Sequence, residues 1–506
     1  MYLLGYDIGS SSIKAALVDI STGDTLASTL SPQKEMEILA MQEGWAAQDP
    51  EVWWQHVCIA TRELLQTQTI DPSQIQGIGI AYQMHGLVVL DKNGKVLRPA
   101  IIWCDSRAVH IGNRALKALG KEKAYQHLLN SPGNFTASKL RWIQENEPDI
   151  YQQIDQIMLP GDYIAYRLTG KISTTISGLS EGIFWDFHSH SIANWLLDHF
   201  QFSPRLIPPI LPTFSIQGKT TATAAQQTGL TSGIPVTYRA GDQPNNALSL
   251  NVLEPGEIAA TGGTSGVVYG VVDRPIHDPQ SRVNGFAHVN HTPIHERIGI
   301  LLCINGAGIQ YSWLKHQMGD FSYPEMEHMA QRIPVGSEGL RILPFGNGAE
   351  RMLGNRMSGA QVNNLQFNRH TQAHFFRAGL EGIAFSFVYG MKVFQEMEVP
   401  IHILRVGNDN LFQSAIFSQT IANLIGCPIQ VIATNGAMGA AKAAGVAPGI
   451  YASPREAIQK QTIVQVFDPE HHPKAYLHAY QSWESDLKRL IRHLDPPESS
   501  TTLSQP

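Results

Sequence analysis

Two short turns rich in glycine and hydroxyl side chains contain the residues best suited to binding phosphate. The first, Gly9–Ser12, follows an apolar run that carries Asp7, and the second, Gly262–Gly266, lies about half the chain further on. Such turns can direct successive backbone N–H groups and hydroxyls at an anion, and Asp7 is placed to hold a divalent cation beside it. Ordinary tight hairpins use the same residue types. One such turn in each half predicts two lobes that grip a single phosphate chain.

Asp242 is the candidate for acid–base chemistry. It follows the apolar run Pro235–Ala240 and the flexible Gly241, a position that suits a carboxylate projecting into a cleft. A hydroxyl group is a weak nucleophile, so a carboxylate placed at its proton helps as a general base. An aspartate after a strand also commonly caps the next helix, and the residues alone leave that alternative open.

Length and composition limit the class of protein. The chain has 506 residues, more than one hydrophobic core usually supports, and its 43% hydrophobic and 16% charged residues are typical of a globular protein. The net charge of −6 without a basic run argues against nucleic acid or anionic membranes as partners. No segment reaches the roughly 20 apolar residues of a membrane span, and a strand starts at the N-terminus in place of a signal peptide. The four cysteines lack CxxC spacing, which predicts reduced thiols in the cytoplasm.

Strand-like and helix-like segments alternate along the chain, which predicts α/β lobes with functional groups at strand ends and in the cleft between them. The first half has a strand pair at 3–20, a helix around Trp53, and a strand at Ile78–Ala81. The second half repeats this order, with a hairpin at 258–272 and an apolar helix near 372–393. We therefore expect an N-terminal lobe over residues 1–250, a C-terminal lobe over residues 251–494, and a loose tail over residues 495–506.

The order of several motifs resembles the FGGY family of carbohydrate kinases. The motifs, beside the two turns, are YQMHG (Tyr82–Gly86), WCDSR (Trp103–Arg107), AGDQ (Ala240–Gln243), NFTASKLRWIQEN (Asn134–Asn146), Glu350-Arg351 and NGAMGAA (Asn435–Ala441). The resemblance covers about residues 1–447. It implies an α/β protein with the two-lobed actin-like ATPase (ribonuclease H-like) fold and an active site in the interdomain cleft.

The resemblance also implies a sugar-binding site. Within the family, the Gln-Met-His-Gly segment is similar to that of xylulokinases, in which the Met-His pair lines the sugar pocket, here Met84 and His85. The family also uses the aspartate at the position of Asp105 near the sugar. Gln243, beside Asp242, departs from the Asn common in xylulokinases and is found in glycerol kinases. By themselves these residues fit structural roles equally well: a hydrogen-bonding His85, a core Met84, and a salt bridge within the WCDSR segment.

For the nucleotide, the resemblance implies contacts from both lobes. Ser10, Ser11 and Ser12 are expected to meet the β- and γ-phosphates, with Thr264 and Ser265 completing the grip from the other lobe. Lys14 adds charge, or is a solvated surface lysine. Asp7 is expected to orient Mg²⁺ through bound water. The adenine contacts are expected from Gly306, Gln310, Asn410 and Ser414. Asn410 stands where relatives carry a glycine-rich turn, and asparagine tolerates unusual backbone dihedrals.

The activity implied by these matches is transfer of the γ-phosphate of ATP to the 5-hydroxyl of D-xylulose, with Asp242 as general base and Mg²⁺ as metal. The expected partners are a small-molecule sugar and ATP, and a homodimer is expected because it is common among relatives. Two alternatives remain: a kinase for another polyol or ketose such as glycerol or ribulose, and a non-catalytic sugar- or nucleotide-binding regulator on the same fold.

Overall fold

Two α/β lobes, each built on a mixed β-sheet, make up the part of the chain that the structure describes. The structure is a computed structural model and describes residues 1–494. The tail expected over residues 495–506 therefore lies outside the described residues. The strands of the first sheet end with Gly241, and the second sheet begins at Gly256. In residues 1–494 no helix is both long and apolar enough to cross a membrane.

The first half of the chain alternates strands and helices. Its strands are β1 (Tyr2–Ile8), β2 (Ile13–Asp19), β3 (Thr25–Ser31), β4 (Ala47–Gln48), β5 (Ile75–Tyr82), β6 (Val88–Leu90), β7 (Ala100–Ile101), β8 (Gln156–Met158), β9 (Thr174–Thr175), β10 (Trp185–Asp186), β11 (Ser191–Ile192), β12 (Ile210–Leu211), β13 (Phe214–Lys219) and β14 (Pro235–Gly241). Its helices are α1 (Pro50–Gln68), α2 (Val109–Leu119), α3 (Lys121–Leu128), α4 (Thr136–Asn146), α5 (Pro148–Tyr151), α6 (Pro160–Thr169), α7 (Ile176–Glu181), α8 (Asn194–Phe200), α9 (Ala222–Thr228) and α10 (Asp242–Ser249).

The second half follows the same pattern. Its strands are β15 (Gly256–Gly262), β16 (Gly266–Val272), β17 (Asn284–Ala287), β18 (Ile298–Ile304), β19 (Arg341–Leu343), β20 (Gln361–Asn363), β21 (Ile401–Gly407), β22 (Ile429–Ile432) and β23 (Ile463–Phe467). Its helices are α11 (Gly308–Gln317), α12 (Tyr323–Gln331), α13 (Gln372–Glu396), α14 (Ala415–Ile425), α15 (Gly436–Ala443), α16 (Pro454–Gln459) and α17 (Lys474–Leu494).

The two central sheets share one strand order. The first runs β13-β14-β5-β1-β2-β3, with β1 antiparallel to β2 and parallel to β5, and β5 parallel to β14. Read in the corresponding direction, the second runs β23-β22-β21-β15-β16-β18-β17, with β15 antiparallel to β16 and parallel to β21, and β21 parallel to β22. Strand β17 is an additional strand at the end of the second sheet. Each sheet thus starts with a hairpin and continues through two parallel strands, which confirms the repeated architecture expected from the sequence.

The predicted elements of the first lobe form for simple reasons. Strand β1 lies in the interior of its sheet, and its apolar residues Leu3, Leu4, Tyr6 and Ile8 are fully buried, as expected for a strand covered on both faces. Helix α1, predicted around Trp53, begins after Asp49, whose side chain accepts a hydrogen bond from the backbone of the first turn.

Helix α15 comes from the second half of the chain but packs on the first sheet. A Cβ atom on Gly5 of β1 or on Gly79 of β5 would collide with backbone atoms of this helix. The Thr237 hydroxyl donates to the carbonyl of Ala444 (2.8 Å), just beyond the helix end. The Asn245 amide on α10 donates to the carbonyl of Gly436 (2.9 Å), at the start of α15. Helices α10 and α15 therefore join the two halves directly behind the cleft.

Candidate active site

Three strands of the first sheet end side by side, and each leads into a candidate functional segment. Ile8 at the end of β1 pairs with Tyr82 at the end of β5, and Tyr82 pairs with Gly241 at the end of β14. Because parallel strands bring their carboxyl ends to one edge, the segments that follow them are neighbours. One edge of the sheet therefore brings together the turn Gly9–Ser12, which we call the first phosphate turn, the Met84-His85 segment and Asp242.

Asp242 is the first residue of α10, directly after β14. The N-cap position belongs to Gly241, which has no side chain, so the structure does not use Asp242 as the helix cap. Burial, together with the negative charge of Asp7, raises the pKa of the Asp242 carboxyl to about 7. A carboxylate with a pKa near neutrality is well matched to general-base catalysis.

Asp7 lies on β1 with its carboxylate against the start of α15. A Cβ atom on Gly436 would collide with this carboxylate, and the side-chain oxygen of Asn246 lies nearby. Burial raises the pKa of Asp7, and the positive charge of Lys14 opposes that rise. Residues 1–494 contain no cluster of three or more His, Cys, Asp or Glu side chains arranged for a metal. One carboxylate beside a phosphate site still fits Mg²⁺, which keeps several waters and takes further ligands from phosphate oxygens.

The first phosphate turn is a tight hairpin with hydroxyls on its surface. The N–H of Gly9 donates to the carbonyl of Ser12 (3.1 Å), and Ser11 between them is exposed. The Ser10 hydroxyl accepts a hydrogen bond from the indole of Trp103 (3.3 Å), which links this turn to the WCDSR segment. Within the turn, the hydroxyls of Ser10, Ser11 and Ser12 are thus close to one another and to the strand ends.

Lys14 lies opposite Asp7 in the β1–β2 hairpin and is exposed. Its positive charge opposes the rise in pKa that burial imposes on two carboxyls, Asp7 in the first lobe and Asp409 in the second. Its charge is therefore felt by carboxyls of both lobes, and its contact with a phosphate stays a prediction.

The second phosphate turn opens onto a cavity in the C-terminal lobe. The carbonyls of Gly263 and Thr264 accept hydrogen bonds from Gly308 (3.0 Å) and Ile309 (3.1 Å), which fixes the turn against the start of α11. A cavity of about 770 Å³ follows, and Thr264 lines it. Ser265, exposed on the same turn, is not part of that lining in the described chain.

Two of the four residues predicted to contact adenine line this cavity. Asn410 does so in a left-handed conformation with φ of 56°, the kind of backbone that asparagine accepts at little cost. Ser414 also lines it, as the N-cap of α14, and its hydroxyl donates to Glu327 on α12 (2.7 Å). The cavity also contains Tyr311 and Tyr323, whose rings stack with centroids 5.8 Å apart.

The other two predicted adenine contacts, Gly306 and Gln310, are not among the described residues that line the cavity. The N–H of Gly306 donates to the carboxylate of Glu350 (2.8 Å), and the Gln310 side chain is nearly buried. Glu350 itself is fully buried and also accepts from the N–H of Asn305 (3.0 Å). These residues shape the loop before α11, and direct contact of Gly306 and Gln310 with a nucleotide stays a prediction.

The Met84-His85 segment after β5 has an unusual backbone conformation at His85. His85 has a φ of 62°, and its Nδ1 donates to the carbonyl of Glu181 (2.8 Å). The imidazole ring packs against Phe135 and Phe286, with centroids 4.8 and 5.3 Å away. Burial lowers the pKa of His85 to about 3, and the charge of Lys139 acts in the same direction, so the ring is neutral at physiological pH. Met84 is buried against Gly241, directly before the candidate base.

Lys139 is a site residue that sequence reasoning missed. Its ammonium is fully buried and donates to the carbonyls of His85 (2.9 Å) and Ile102 (2.9 Å). Burial lowers the pKa of Lys139 to about 7. The residue therefore fastens the Met84-His85 segment to the WCDSR segment. The local sequence carries no signal for this role, because Lys139 lies between Ser138 and Leu140-Arg141, a mixed polar and apolar stretch.

Asp105 forms a buried salt bridge with Arg107, which is the structural role that the residues alone left open for it. Its carboxylate is fully buried and accepts hydrogen bonds from the backbone of Ala46 (2.5 Å) and from the backbone and Nε of Arg107 (both 2.8 Å). The Arg107 guanidinium in turn lies 3.9 Å from the ring centroid of Trp45. This arrangement favours a role in shaping the segment after Trp103, and contact of Asp105 with a sugar stays a prediction.

Hydroxyl-rich turns from two lobes, a nucleotide-sized cavity and a carboxylate of near-neutral pKa together define a phosphotransferase that acts on a small hydroxyl compound. The N-terminal domain of the FGGY family of carbohydrate kinases matches residues 2–249, and its C-terminal domain matches residues 258–448. The chain belongs to the FGGY family of carbohydrate kinases and is a sugar kinase.

Relatives across nearly the whole chain agree with this assignment. The xylulose kinase of Escherichia coli (strain K12) is 27% identical over 498 residues, which cover 98% of this chain and 99% of the relative. The L-xylulose/3-keto-L-gulonate kinase of the same organism is 30% identical over 472 residues, 89% of each chain. The crystal structure of xylulose kinase from Rhodospirillum rubrum matches with a TM-score of 0.87 at 25% identity, covering 98% of this chain and 100% of that one. The fold is thus the two-lobed actin-like ATPase fold expected from the motifs.

Proposed function

We propose that this kinase transfers the γ-phosphoryl group of ATP to the 5-hydroxyl of D-xylulose, with Asp242 as general base. The observation that carries the proposal is the place of Asp242 at the sheet edge shared by the first phosphate turn and the Met84-His85 segment. The Gln-Met-His-Gly segment and the xylulose kinases among the relatives support the choice of sugar.

The reaction needs one bond made, one bond broken and one proton moved. The sugar oxygen attacks the γ-phosphorus, the bond from that phosphorus to the bridging oxygen of ADP breaks, and the hydroxyl proton passes to Asp242. The product carries the phosphate on O5, and ADP leaves with the electron pair of the broken bond. Asp242 suits this role because its buried surroundings keep its carboxylate basic enough to accept that proton.

Other residues bind and orient the two substrates. The hydroxyls of Ser10, Ser11 and Ser12 and of Thr264 and Ser265 hold the phosphates from the two lobes. Asp7 would hold Mg²⁺, which neutralises charge on the phosphate oxygens when bound. The neutral imidazole of His85 can exchange hydrogen bonds with a ketose hydroxyl without adding charge to the pocket. The 770 Å³ cavity beside Thr264 receives the adenosine.

A substrate panel tests the choice of sugar. The purified protein is given ATP and magnesium with D-xylulose, L-xylulose, 3-keto-L-gulonate, D-ribulose or glycerol, and ADP release is followed. We expect kcat/KM to be highest for D-xylulose, by at least about tenfold, since one net hydrogen bond contributes roughly 0.5–1.5 kcal/mol. A clear preference for another of these compounds would reassign the substrate but leave the kinase activity intact. Absence of ADP release with every compound would contradict the proposed function.

The role of Asp242 is tested by Asp242→Asn, which keeps the shape of the side chain and removes its basicity. We expect kcat to fall about 10²–10⁴-fold, the usual scale for loss of a general base. The matched control is Asp198→Asn at an exposed position on α8, which should retain the kcat of the unmodified protein. Thermal unfolding of both variants checks that they fold. Near-normal turnover in a folded Asp242→Asn protein would remove Asp242 from the role.

We also propose that the protein works in the cytoplasm, because ATP is available there and all four cysteines are free thiols in the structure. The homodimer expected from relatives stays a prediction, which sedimentation or light scattering of the purified chain would decide.

A further inference from the structure

Glu181 is a buried acid beside the active site that the proposed reaction does not use. It is the last residue of α7, and only 1% of its surface is exposed. Its buried carboxyl faces the hydroxyl of Tyr82 and the backbone of His85, the residue next to Met84 in the segment expected to bind the sugar. A buried acid is costly unless its surroundings suit it, so an acid at this place in a folded enzyme calls for a specific explanation.

The position of Glu181 links the sugar segment to the candidate base. A Cβ atom on Gly241 would collide both with a carboxyl oxygen of Glu181 and with the side chain of Met84. The acid therefore packs directly on the residue that precedes Asp242. Its backbone carbonyl accepts the hydrogen bond from Nδ1 of His85 (2.8 Å). One residue thus contacts both the segment expected to bind the sugar and the strand end that carries the base.

The surroundings of Glu181 favour its uncharged form. Burial raises the pKa of the carboxyl well above its usual range, and the negative charge of Asp242 adds to the rise. The titratable groups that face it from the neighbouring elements are Tyr82, His85, Lys139, Asp162, Asp242 and Tyr269. An uncharged acid can lie close to Asp242 without repelling its carboxylate.

Helix α7 is itself fixed from both lobes. The Thr175 hydroxyl caps its start by accepting from Gly178 (3.0 Å). The Ser177 hydroxyl donates to the carbonyl of Ala287 on β17 (3.2 Å), and the N–H of Ala287 donates to the Ser180 hydroxyl (2.9 Å). Glu181 at the end of this helix therefore has a defined position relative to both lobes. A residue that positions another residue must itself be fixed in this way.

We propose that Glu181 is a positioning residue that acts through Gly241 to hold Asp242 in register with the sugar hydroxyl. This role rests on the proposed function, since it requires Asp242 to be the base. In this role the side chain takes no part in bond making or proton transfer and acts only through Gly241. Its uncharged carboxyl fills the space between Met84 and Gly241, and the turn from β14 into α10 keeps one position as a result.

The test compares three variants of the full chain by steady-state kinetics with the best sugar and ATP. Glu181→Ala should lower kcat roughly 10–100-fold, the loss that follows a displacement of about 1 Å at a reacting group. The KM values for sugar and ATP should change less than about threefold, because the substrate contacts remain. Glu181→Gln, an uncharged side chain of the same shape, should recover at least about a third of the kcat of the unmodified protein.

Leu179→Ala is the control for simple loss of packing, since Leu179 is buried on the same helix and is not part of the site. It should lower the unfolding temperature but keep kcat. The proposal is wrong if Glu181→Ala keeps its kcat, if Glu181→Gln is as slow as Glu181→Ala, or if Leu179→Ala loses kcat to the same extent. The outcome is separable from the proposed function, because that function fails only when the unmodified protein itself releases no sugar-dependent ADP.

Discussion

At the scale of single residues, the proposed chemistry depends on the buried environment of Asp242. An aspartate in water ionises near pH 4, but burial and the neighbouring charge of Asp7 bring its pKa to about 7 here. The same burial that makes this carboxylate a stronger base also makes its basic form scarce in mildly acidic solution. If Asp242 is the base, as we propose, its catalysis is linked to pH in the range where cells work.

The pH dependence of activity follows from that pKa. The base must be deprotonated, and a raised pKa means that the active form is lost as pH falls through about 7. We expect kcat/KM for the sugar to decline about tenfold per pH unit below that point, and to level off above it. Initial rates between pH 5 and 9 at subsaturating sugar measure this limb. A limb near pH 4, the value of an exposed aspartate, would contradict the assignment.

The sequence predicted the site residues that follow strand ends and glycine turns, because those signals are local. Asp7, the first phosphate turn, Asp242 and Asn410 belong to this group: the structure places the first three at one edge of the first sheet and Asn410 in the cavity, and their contacts with substrates stay predictions. Lys139 and Glu181 could not be predicted in the same way. Their contacts are backbone atoms of His85, Ile102 and Gly241, far away in the chain, and a charged residue gives no local sign that it will be buried.

At the scale of elements, the contact of α15 with the first sheet depends on the absence of side chains. Gly79 lies in the centre of β5, and any Cβ there would collide with the carbonyl of Ala440 in the helix backbone. Neither a strand nor a helix backbone can yield easily, because each is fixed by its own hydrogen bonds. The small residues of the NGAMGAA segment are thus explained by close approach of two backbones.

Gly79→Ala tests that contact. We expect a loss of about 1–3 kcal/mol in the free energy of unfolding, the usual cost of forcing an extra carbon into a packed interior. Chemical denaturation measures it. The matched control is Gly263→Ala, where the nearest atom to the new carbon would be 3.7 Å away and the stability should hardly change. Equal stability of the two variants would show that the helix can move aside at little cost.

The elements themselves were largely predictable. The hairpins, the strand at 78–81, the helix around Trp53 and the long helix near 372–393 form where hydrophobic periodicity and turn residues place them. The partner of α15 was not predictable, because a run of small residues shows that a helix packs closely but not on which sheet. The boundary predicted at residue 250 divides the chain by sequence order. Helix α15 comes after that boundary in the chain but packs on the sheet formed before it.

At the scale of the whole molecule, the proposed function requires the substrates to meet between lobes that each carry part of the proposed phosphate site. The first phosphate turn belongs to the first lobe. Thr264 belongs to the second lobe and lines its 770 Å³ cavity. Water in this space would compete with the sugar for the phosphoryl group, so an efficient kinase excludes it before reaction. Rotation of the lobes about the α10–α15 connection is a simple way to do so.

We therefore expect the lobes to close when the sugar binds. Small-angle X-ray scattering should show a smaller radius of gyration with saturating sugar than without it, since closure brings the lobes together. A sugar that is not phosphorylated serves as the control and should leave the curve unchanged. An unchanged radius of gyration with the true substrate bound would argue against closure as the means of excluding water.

The placement of α15 on Gly5 and Gly79 also decides how this polypeptide can be divided. A fragment that stops at residue 250 would lack α15, which covers part of one face of the first sheet. That helix would remain near the C-terminal end of the other fragment. We therefore expect that neither fragment folds as the whole chain does. During synthesis, too, the strands of the first sheet leave the ribosome long before Ala443, so that face of the sheet stays uncovered until one of the last helices has been made.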